Sequence, residues 1–198
     1  RGAGMPKELQ MSVLIASSNE KFDQVLLSLL PSNEFGPVDV VNSAGAARRR
    51  LDNISYDLLI VNAPLKDERG ANLAVDVASE TGIGVLLFLD AAIYDEISAK
   101  AEEYGVLALS KPTSKAIVSQ SLKLICATRQ RLKKMEIKAQ SFEEKIEEIK
   151  LVNRAKLLLM EKEDMDENSA HRFLEKLAMN SRSTKRKIAE EIIAKYKE

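Results

Sequence analysis

The sequence has 198 residues, and its 30 basic and 30 acidic side chains give a formal net charge of zero. A single cysteine and a single histidine exclude a disulfide framework, a cysteine-based zinc site and a multi-histidine metal centre. No apolar run approaches the roughly 18 residues of a membrane span, and the first residues lack the apolar core of a signal peptide.

Pro112 divides the sequence into halves of opposite charge. Residues 1–112 carry 10 basic and 16 acidic side chains, a net of −6, whereas residues 113–198 carry 20 and 14, a net of +6. All 8 Gly and all 5 Pro lie at or before Pro112. Because Gly costs about 1 kcal/mol and Pro about 3 kcal/mol inside a helix, the second half is predicted to be almost entirely helical. Its positive charge suggests an anionic partner.

In the first half, short apolar runs alternate with helical patterns. Residues 1–10 show neither pattern, and we expect them to be a disordered tag remnant. We predict strands at 12–17, 38–43, 56–61, 84–89 and 106–109, separated by helices at 19–30, 44–51, 71–80 and 93–104. Continuous apolar strands between helices indicate an α/β fold with a parallel sheet covered on both faces. The carboxyl ends of such strands form the functional crevice, and the polar residues predicted there are Ser17, Ser18, Asn62, Asp90 and Lys111.

This order and spacing, together with the terminal Lys111-Pro112, resemble the receiver domain of response regulators across residues 11–125. The resemblance implies a flavodoxin-like (CheY-like) fold with a five-stranded parallel sheet. It also implies acidic residues after the first strand that hold magnesium, a phosphate-accepting Asp after the third strand, Ser or Thr after the fourth and Lys after the fifth. This sequence keeps only the lysine. Ser17 and Ser18 replace the acidic pair, Asn62 replaces the phosphoacceptor and Asp90 replaces the hydroxyl residue.

These departures predict a pseudo-receiver that is not phosphorylated. An amide is not a nucleophile toward an acyl phosphate, so Asn62 cannot accept the group. The hydroxyls of Ser17 and Ser18 provide little charge for magnesium, which favours carboxylate ligands. We expect Lys111 to pair with Asp90. The alternative is a small-ligand pocket formed by Ser17, Ser18, Asn62 and Asp90.

A long helix is predicted after Pro112, over residues 114–150 and continuing to about 160, where it overlaps the last helix of the receiver-like domain. A 3-4 spacing of apolar residues gives a coiled-coil seam at Leu132, Met135, Ala139, Phe142, Ile146 and Ile149. We expect a homodimer through this seam, because the stripe is too long for a small sheet domain to cover. The alternative is an amphipathic helix that lies on its own protein. Cys126, near the start of this helix, is expected to be a packed thiol, and its presence fits a reducing, cytoplasmic compartment.

Three all-α segments are predicted in the remaining chain, at 151–162, 167–180 and 184–196, with Asp166 and Ser183 as N-caps. Their apolar faces should meet in a small core formed by Phe173, Leu174, Leu177, Ala178, Ile188, Ile192, Ile193 and Tyr196.

Residues 151–198 resemble the ANTAR domain, an RNA-binding antitermination module of some response regulators. The matching positions are Ala155-Lys156, Leu159-Met160, Ala170, Leu174, Ala178-Met179 and Ala189, and Leu157 stands where the family has Gly. The resemblance implies that a dimer binds paired small RNA hairpins and prevents a terminator from forming. Basic side chains that could contact RNA phosphates are Lys156, Arg172, Arg182, Lys185, Arg186 and Lys187; the alternative is that they are only a solvated face. His171 is expected on the helix surface or partly buried, with base stacking as a second idea.

The sequence therefore predicts a response regulator of the two-component type, with a degenerate phosphorylation site and a C-terminal ANTAR domain. The predicted function is RNA-binding transcription antitermination by a cytoplasmic homodimer. Its RNA partner would be small stem-loops near a terminator, and a protein partner or a ligand would act at the receiver-like domain. No catalytic residue, cofactor, metal or membrane association is predicted. The alternatives are a protein-interaction adaptor and a DNA-binding regulator.

Overall fold

The computed structural model of the chain describes residues 10–196. Two compact units divide within one helix, the first ending at Lys134 and the second beginning at Met135. Of the predicted tag remnant, residues 1–9 lie outside the described residues. No helix within residues 10–196 has the length and apolarity to cross a bilayer.

The secondary structure elements alternate in the first unit and are all helical in the second. In chain order they are β1 (Met11–Ser17), α1 (Glu20–Leu27), β2 (Phe35–Val41), α2 (Ala44–Asn53), β3 (Leu58–Asn62), α3 (Ala71–Glu80), β4 (Gly84–Asp90), α4 (Ala91–Glu103), β5 (Leu107–Lys111), α5 (Lys115–Lys162), α6 (Glu167–Asn180) and α7 (Lys185–Lys195). Helix α5 begins in the first unit and ends in the second.

The five strands form one parallel sheet in the order β2-β1-β3-β4-β5. This arrangement confirms the predicted α/β class. The register pairs Ser17 with Asn62 and Asp90 with Lys111. The polar residues that follow the apolar runs therefore meet at one edge of the sheet.

Hydrophobic cores cover both faces of the sheet because side chains alternate along each strand. Leu14, Leu59 and Leu87 face a core built with α2, α3 and α4. Ile15 and Phe88 face the opposite core, which is completed by apolar residues from α1 and α5. All five residues of β3 are buried, as expected for a central strand of a two-sided parallel sheet.

Several element boundaries differ from the sequence prediction; α1, for example, ends at Leu27 instead of residue 30. The early start of β2 has an identifiable reason. Strand β2 begins at Phe35, three residues before the predicted start, and includes Gly36-Pro37. Proline is tolerated there because β2 is an edge strand, where a missing N–H leaves no interior ladder bond unmade. Helix α4 begins directly at Ala91, with Asp90 at its N-cap position, rather than at residue 93.

The first part of α5 is packed on the sheet. Val118, Leu122 and Ile125, spaced at i, i+4 and i+7, are buried in the second core. A Cβ at Gly84 would lie 2.8 Å from Leu58 Cδ2 and 3.0 Å from Ile125 Cγ1. The glycine at the start of β4 therefore allows the helix to approach the strands closely.

A buried aspartate holds the next turns of α5. Asp57 accepts hydrogen bonds at 3.1 Å from both the backbone N–H and the hydroxyl of Ser12, and at 3.2 Å from Lys133 Nζ. Arg129 Nε lies 3.9 Å from the same carboxylate. Burial acts to raise the pKa of Asp57, but the hydrogen bonds from Ser12 and Lys133 outweigh it and leave the pKa below its ordinary value. The carboxylate thus ties the helix to the start of β1.

The second unit has its own small core. Ala155 and Leu159 of α5, Leu174 of α6, and Ile188 and Ile192 of α7 are among its buried residues. This core confirms the predicted three-helix packing of the C-terminal stretch.

Two details of the second unit differ from the prediction. Phe173 is not part of the core: it is 38% exposed, because its neighbour Leu174 occupies the inward position of α6. The N-cap of α7 is Thr184 instead of Ser183, since Thr184 Oγ1 accepts the Lys187 N–H. The predicted cap of α6 is present, with Asp166 Oδ1 accepting the Ser169 N–H at 2.6 Å.

Candidate functional site

The strand-end edge of the first unit holds a connected chain of polar contacts. Asn62 Nδ2 donates to Ser17 Oγ at 3.1 Å, and Lys111 Nζ donates to Asn62 Oδ1 at 3.0 Å. Lys111 also donates to the Ala63 carbonyl and lies 3.1 Å from Asp90 Oδ1. Ser17 and Asn62 are both buried. The predicted Lys111–Asp90 ion pair is therefore present, and it is one link of a longer network.

Ser18 lies at the same edge but is not a link in that network. Its side chain is exposed, and its hydroxyl donates to the Pro64 carbonyl at 3.2 Å. Together with Asn62 and Lys111 it lines an open depression of about 510 Å³. Within residues 10–196 no group of three or more His, Cys, Asp or Glu side chains is arranged to hold a metal ion.

The chemistry of this cluster is that of a satisfied polar site. The Asn62 amide is bonded at its nitrogen and at its oxygen, so both groups are paired in the buried environment. The lysine that would contact a phosphoryl group is instead shared among a carboxylate, an amide and a backbone carbonyl. Nothing in this arrangement requires a bound ion to neutralise it.

The predicted seam is an apolar surface along the middle of α5. Leu132, Met135, Phe142, Ile146 and Ile149 are 43–67% exposed, and Ala139 is exposed as well. Contiguous exposed apolar surface of this kind marks an interaction site.

Three of the six basic residues predicted to contact RNA are engaged with carboxylates. Lys156 Nζ lies 2.9 Å from Glu167 Oε1, and its side chain is only 15% exposed. Lys185 Nζ lies 2.6 Å from Glu175 Oε1, and Arg186 Nε lies 3.1 Å from Glu190 Oε1. The hydrogen bond from Lys156 holds the pKa of Glu167 below its ordinary value, and the hydrogen bond from Lys185 does the same for the pKa of Glu175.

The other three predicted RNA contacts are placed differently. Arg172 lies on the outer surface of α6, and Lys187 is exposed in the first turn of α7. Arg182 lies between the two helices with a φ of 50°, in the left-handed region. The six residues are therefore not equally available to an anionic partner.

The single histidine and the single cysteine have the structural roles expected of them. His171 is on the surface of α6, with Nε2 at 3.3 Å from Glu175 Oε1. Cys126 is packed beside the second sheet core. Burial, reinforced by the charges of Glu34 and Asp57, raises the pKa of its thiol to about 11, so the thiolate nucleophile is disfavoured.

Sequence reasoning missed two features of the molecule. Asp57 gave a local signal, since a charged residue directly before a fully apolar strand requires a partner. Its partners Ser12 and Lys133 are 45 and 76 residues away, however, and no local pattern names them. The exposure of Phe173 gave no signal, because Phe173 and Leu174 fit a helical apolar stripe equally well.

Comparisons with known proteins agree with both units. Residues 140–193 match the ANTAR domain family. The first unit is similar to the signal receiver domain of an HD domain-containing protein from Pseudomonas fluorescens Pf-5, with a TM-score of 0.57 and 21% identity over 64% of this chain and 93% of that one. It is also similar to a two-component response regulator from Clostridium difficile, with a TM-score of 0.53 and 21% identity over 60% of this chain and 97% of that one.

The chain thus combines a first unit with the receiver fold and a C-terminal stretch, residues 140–193, that matches the ANTAR domain family. Along its length it is similar to the transcriptional regulatory protein PdtaR of Mycobacterium tuberculosis. The two are 26% identical over 185 residues, which cover 91% of this chain and 88% of that protein.

Proposed function

We propose that this protein is a cytoplasmic, homodimeric regulator that binds RNA stem-loops and prevents transcription termination, without acting as an enzyme. The observation that carries the proposal is the ANTAR match over residues 140–193, which coincides with a packed three-helix core. The similarity to a transcriptional regulatory protein over nearly the whole chain supports it.

The proposed dimer follows from the exposed seam. Full burial of a Leu, Ile, Phe or Met side chain is worth about 1.5–3 kcal/mol. Two copies contribute ten such side chains, each already roughly half buried, so pairing the seams would stabilise a dimer by about 10 kcal/mol. That gain is comparable to the about 4–15 kcal/mol that association costs in lost freedom. The seam is therefore long enough to offset the cost of association, and we propose a second copy of this chain as its partner.

The receiver fold is proposed to act without phosphorylation. Asn62 occupies the predicted acceptor position with a non-nucleophilic amide, and that amide is bonded to Ser17 and Lys111. Asp90 places a negative charge where a phosphoryl group would have to lie. Control of the dimer would then pass to a protein partner or a small ligand that binds the first unit.

The test of RNA binding is a set of titrations of the full chain over a salt series. The probes are a pair of RNA hairpins, a DNA of matched sequence and heparin. We expect tighter binding to the looped RNA at every salt concentration. Equal affinity for all three would reduce the interaction to charge alone, and a preference for DNA would favour a DNA-binding regulator. If no probe bound, a protein-interaction adaptor would be the better description.

A further inference from the structure

The outer face of α6 carries cationic, aromatic and amide side chains and no acidic residue. Ser169, Arg172, Phe173, Lys176 and Asn180 lie at positions i, i+3, i+4, i+7 and i+11 of the helix, so they share one stripe of its surface. The buried residues Ala170, Leu174 and Ala178 occupy the opposite side.

The cations of this stripe are available to an anionic partner. Neither Arg172 nor Lys176 forms an ion pair with any residue in the described range 10–196. The carboxylate of Asp166, at the N-terminus of the helix, is held by the Ser169 N–H, and this bond, with a smaller contribution from the charge of Arg172, keeps the pKa of Asp166 below its ordinary value. Asp166 is thus committed to capping the helix.

The predicted cluster at the start of α7 differs in this respect. Lys185 and Arg186 are paired with Glu175 and Glu190. A phosphate that approached Lys185 or Arg186 would have to compete with these carboxylates. The stripe on α6 does not impose this requirement.

Phe173 gives the stripe its second property. Phe173 is 38% exposed, beside Arg172 and one turn before Lys176 on the helix surface. An exposed aromatic ring offers a stacking surface to any unpaired base, and flanking Arg and Lys side chains neutralise the phosphates on either side. Asn180 adds an amide that can donate to and accept from a base edge. A base-paired stem presents no free base face, whereas a hairpin loop does.

We propose that this α6 stripe, and not the cluster at Lys185–Lys187, reads the unpaired bases of the RNA loop, with Phe173 stacking on a base and Arg172 and Lys176 binding adjacent phosphates. The inference rests on the proposed RNA-binding function and names the part of the surface that carries it. It also accounts for an aromatic side chain that the core of the second unit leaves exposed.

The test compares two RNAs and three variants of the full chain. The RNAs are a hairpin with an unpaired loop and a continuous duplex of equal length. Phe173→Ala should weaken binding to the looped hairpin by about 5- to 100-fold, with little change for the duplex. Phe173→Tyr retains a stacking ring and should bind as the wild type does. Leu157→Ala, which truncates an exposed apolar side chain elsewhere in the second unit, is the matched control and should have no effect on loop preference.

A second pair of variants tests the cations. Arg172→Gln with Lys176→Gln should reduce the slope of log affinity against log salt by about 1.4, the value expected for two phosphate contacts to a single strand. Lys185→Gln with Arg186→Gln should change that slope less. The inference is overturned if Phe173→Ala keeps its loop preference or if the α7 pair changes the slope more. Circular dichroism establishes that each variant is folded. If the wild type shows no preference for RNA, the proposed function fails as well, so the two failures are distinguishable.

Discussion

The two units use their polar and apolar groups in opposite ways. At the strand ends of the first unit, Ser17, Asn62, Lys111 and Asp90 satisfy one another. In the second unit, the seam residues from Met135 to Ile149 are exposed, and so is Phe173 on α6. The strand-end polar groups of the first unit therefore already have partners, whereas these apolar groups of the second unit do not. This contrast indicates that binding should be tested first at surfaces whose side chains have no partner within the fold.

The largest expected effect is on the dimer. Ile146→Glu places two like charges in the proposed seam, and we expect association to weaken at least about 100-fold. Ile137→Glu is the matched control, because Ile137 is equally exposed but lies two residues from the seam positions Met135 and Ala139, on the far side of the helix. Light scattering with size-exclusion chromatography over a dilution series measures both. A wild-type chain that stays monomeric at high concentration would contradict the assignment of the seam.

The next effect tests how much the contacts of Asp57 stabilise the first unit. Asp57→Asn removes a buried charge that has four contacts, and we expect the first unit to lose about 2–4 kcal/mol of unfolding free energy. Asp52→Asn, on the exposed side of α2, should change it by less than about 0.5 kcal/mol. Denaturant unfolding followed by circular dichroism gives both values. Equal stability of the two variants would mean that the Asp57 contacts are not stabilising.

The same residue predicts a pH dependence. The pKa of Asp57 is lower in the folded state than its ordinary value. Its contribution is therefore complete above the unfolded-state value, about 3.9, and is lost as the pH falls through the folded-state value. Wild-type stability should decline in this acidic window, and Asp57→Asn should decline less steeply. Parallel slopes in the two proteins would contradict the prediction.

A smaller effect concerns the start of α7. Thr184→Ala should cost about 1 kcal/mol of stability, since the Thr184 hydroxyl accepts the Lys187 N–H. Ser183→Ala, one residue earlier, should cost only a few tenths of that. The midpoints of thermal unfolding compare the two variants directly. A larger loss at Ser183 would place the cap where the sequence alone predicted it.

The last prediction is that a substitution at the acceptor position leaves phosphate incorporation unchanged, at zero. Asn62→Asp restores a carboxylate at the acceptor position, but Ser17 and Ser18 still supply no charge for magnesium. We expect no phosphate incorporation from acetyl phosphate and magnesium, in this variant or in the wild type. A response regulator with an intact acidic site, treated in parallel, shows that the donor is active. Hydroxylamine-labile phosphate on the variant would contradict this prediction and show that the strand-end side chains can still admit a phosphoryl group.

A feature could be predicted from the sequence when residues close to it in the chain determine it, and could not when distant residues do. The sheet could be predicted because apolar runs and breakers act within a few residues, and the strand-end side chains followed because parallel strands end at one edge. The early start of β2 depended on its edge position, a property of the whole sheet. The pairing of Lys156 with Glu167 and of Lys185 with Glu175 arises from helix packing, so a count of basic residues overstated how many are free.

The strand-end cluster also has a consequence for how long a response of this protein would last. An acyl phosphate hydrolyses, so a receiver that carries one returns to rest at a rate set by its own chemistry. Under the proposed function, a chain whose Asn62 is hydrogen-bonded to Ser17 and Lys111 forms no acyl phosphate. No hydrolysis rate of its own would then limit how long it stays active. Its response would last as long as its partner or ligand stays bound, and its duration would be set by a dissociation rate and by the supply of that partner.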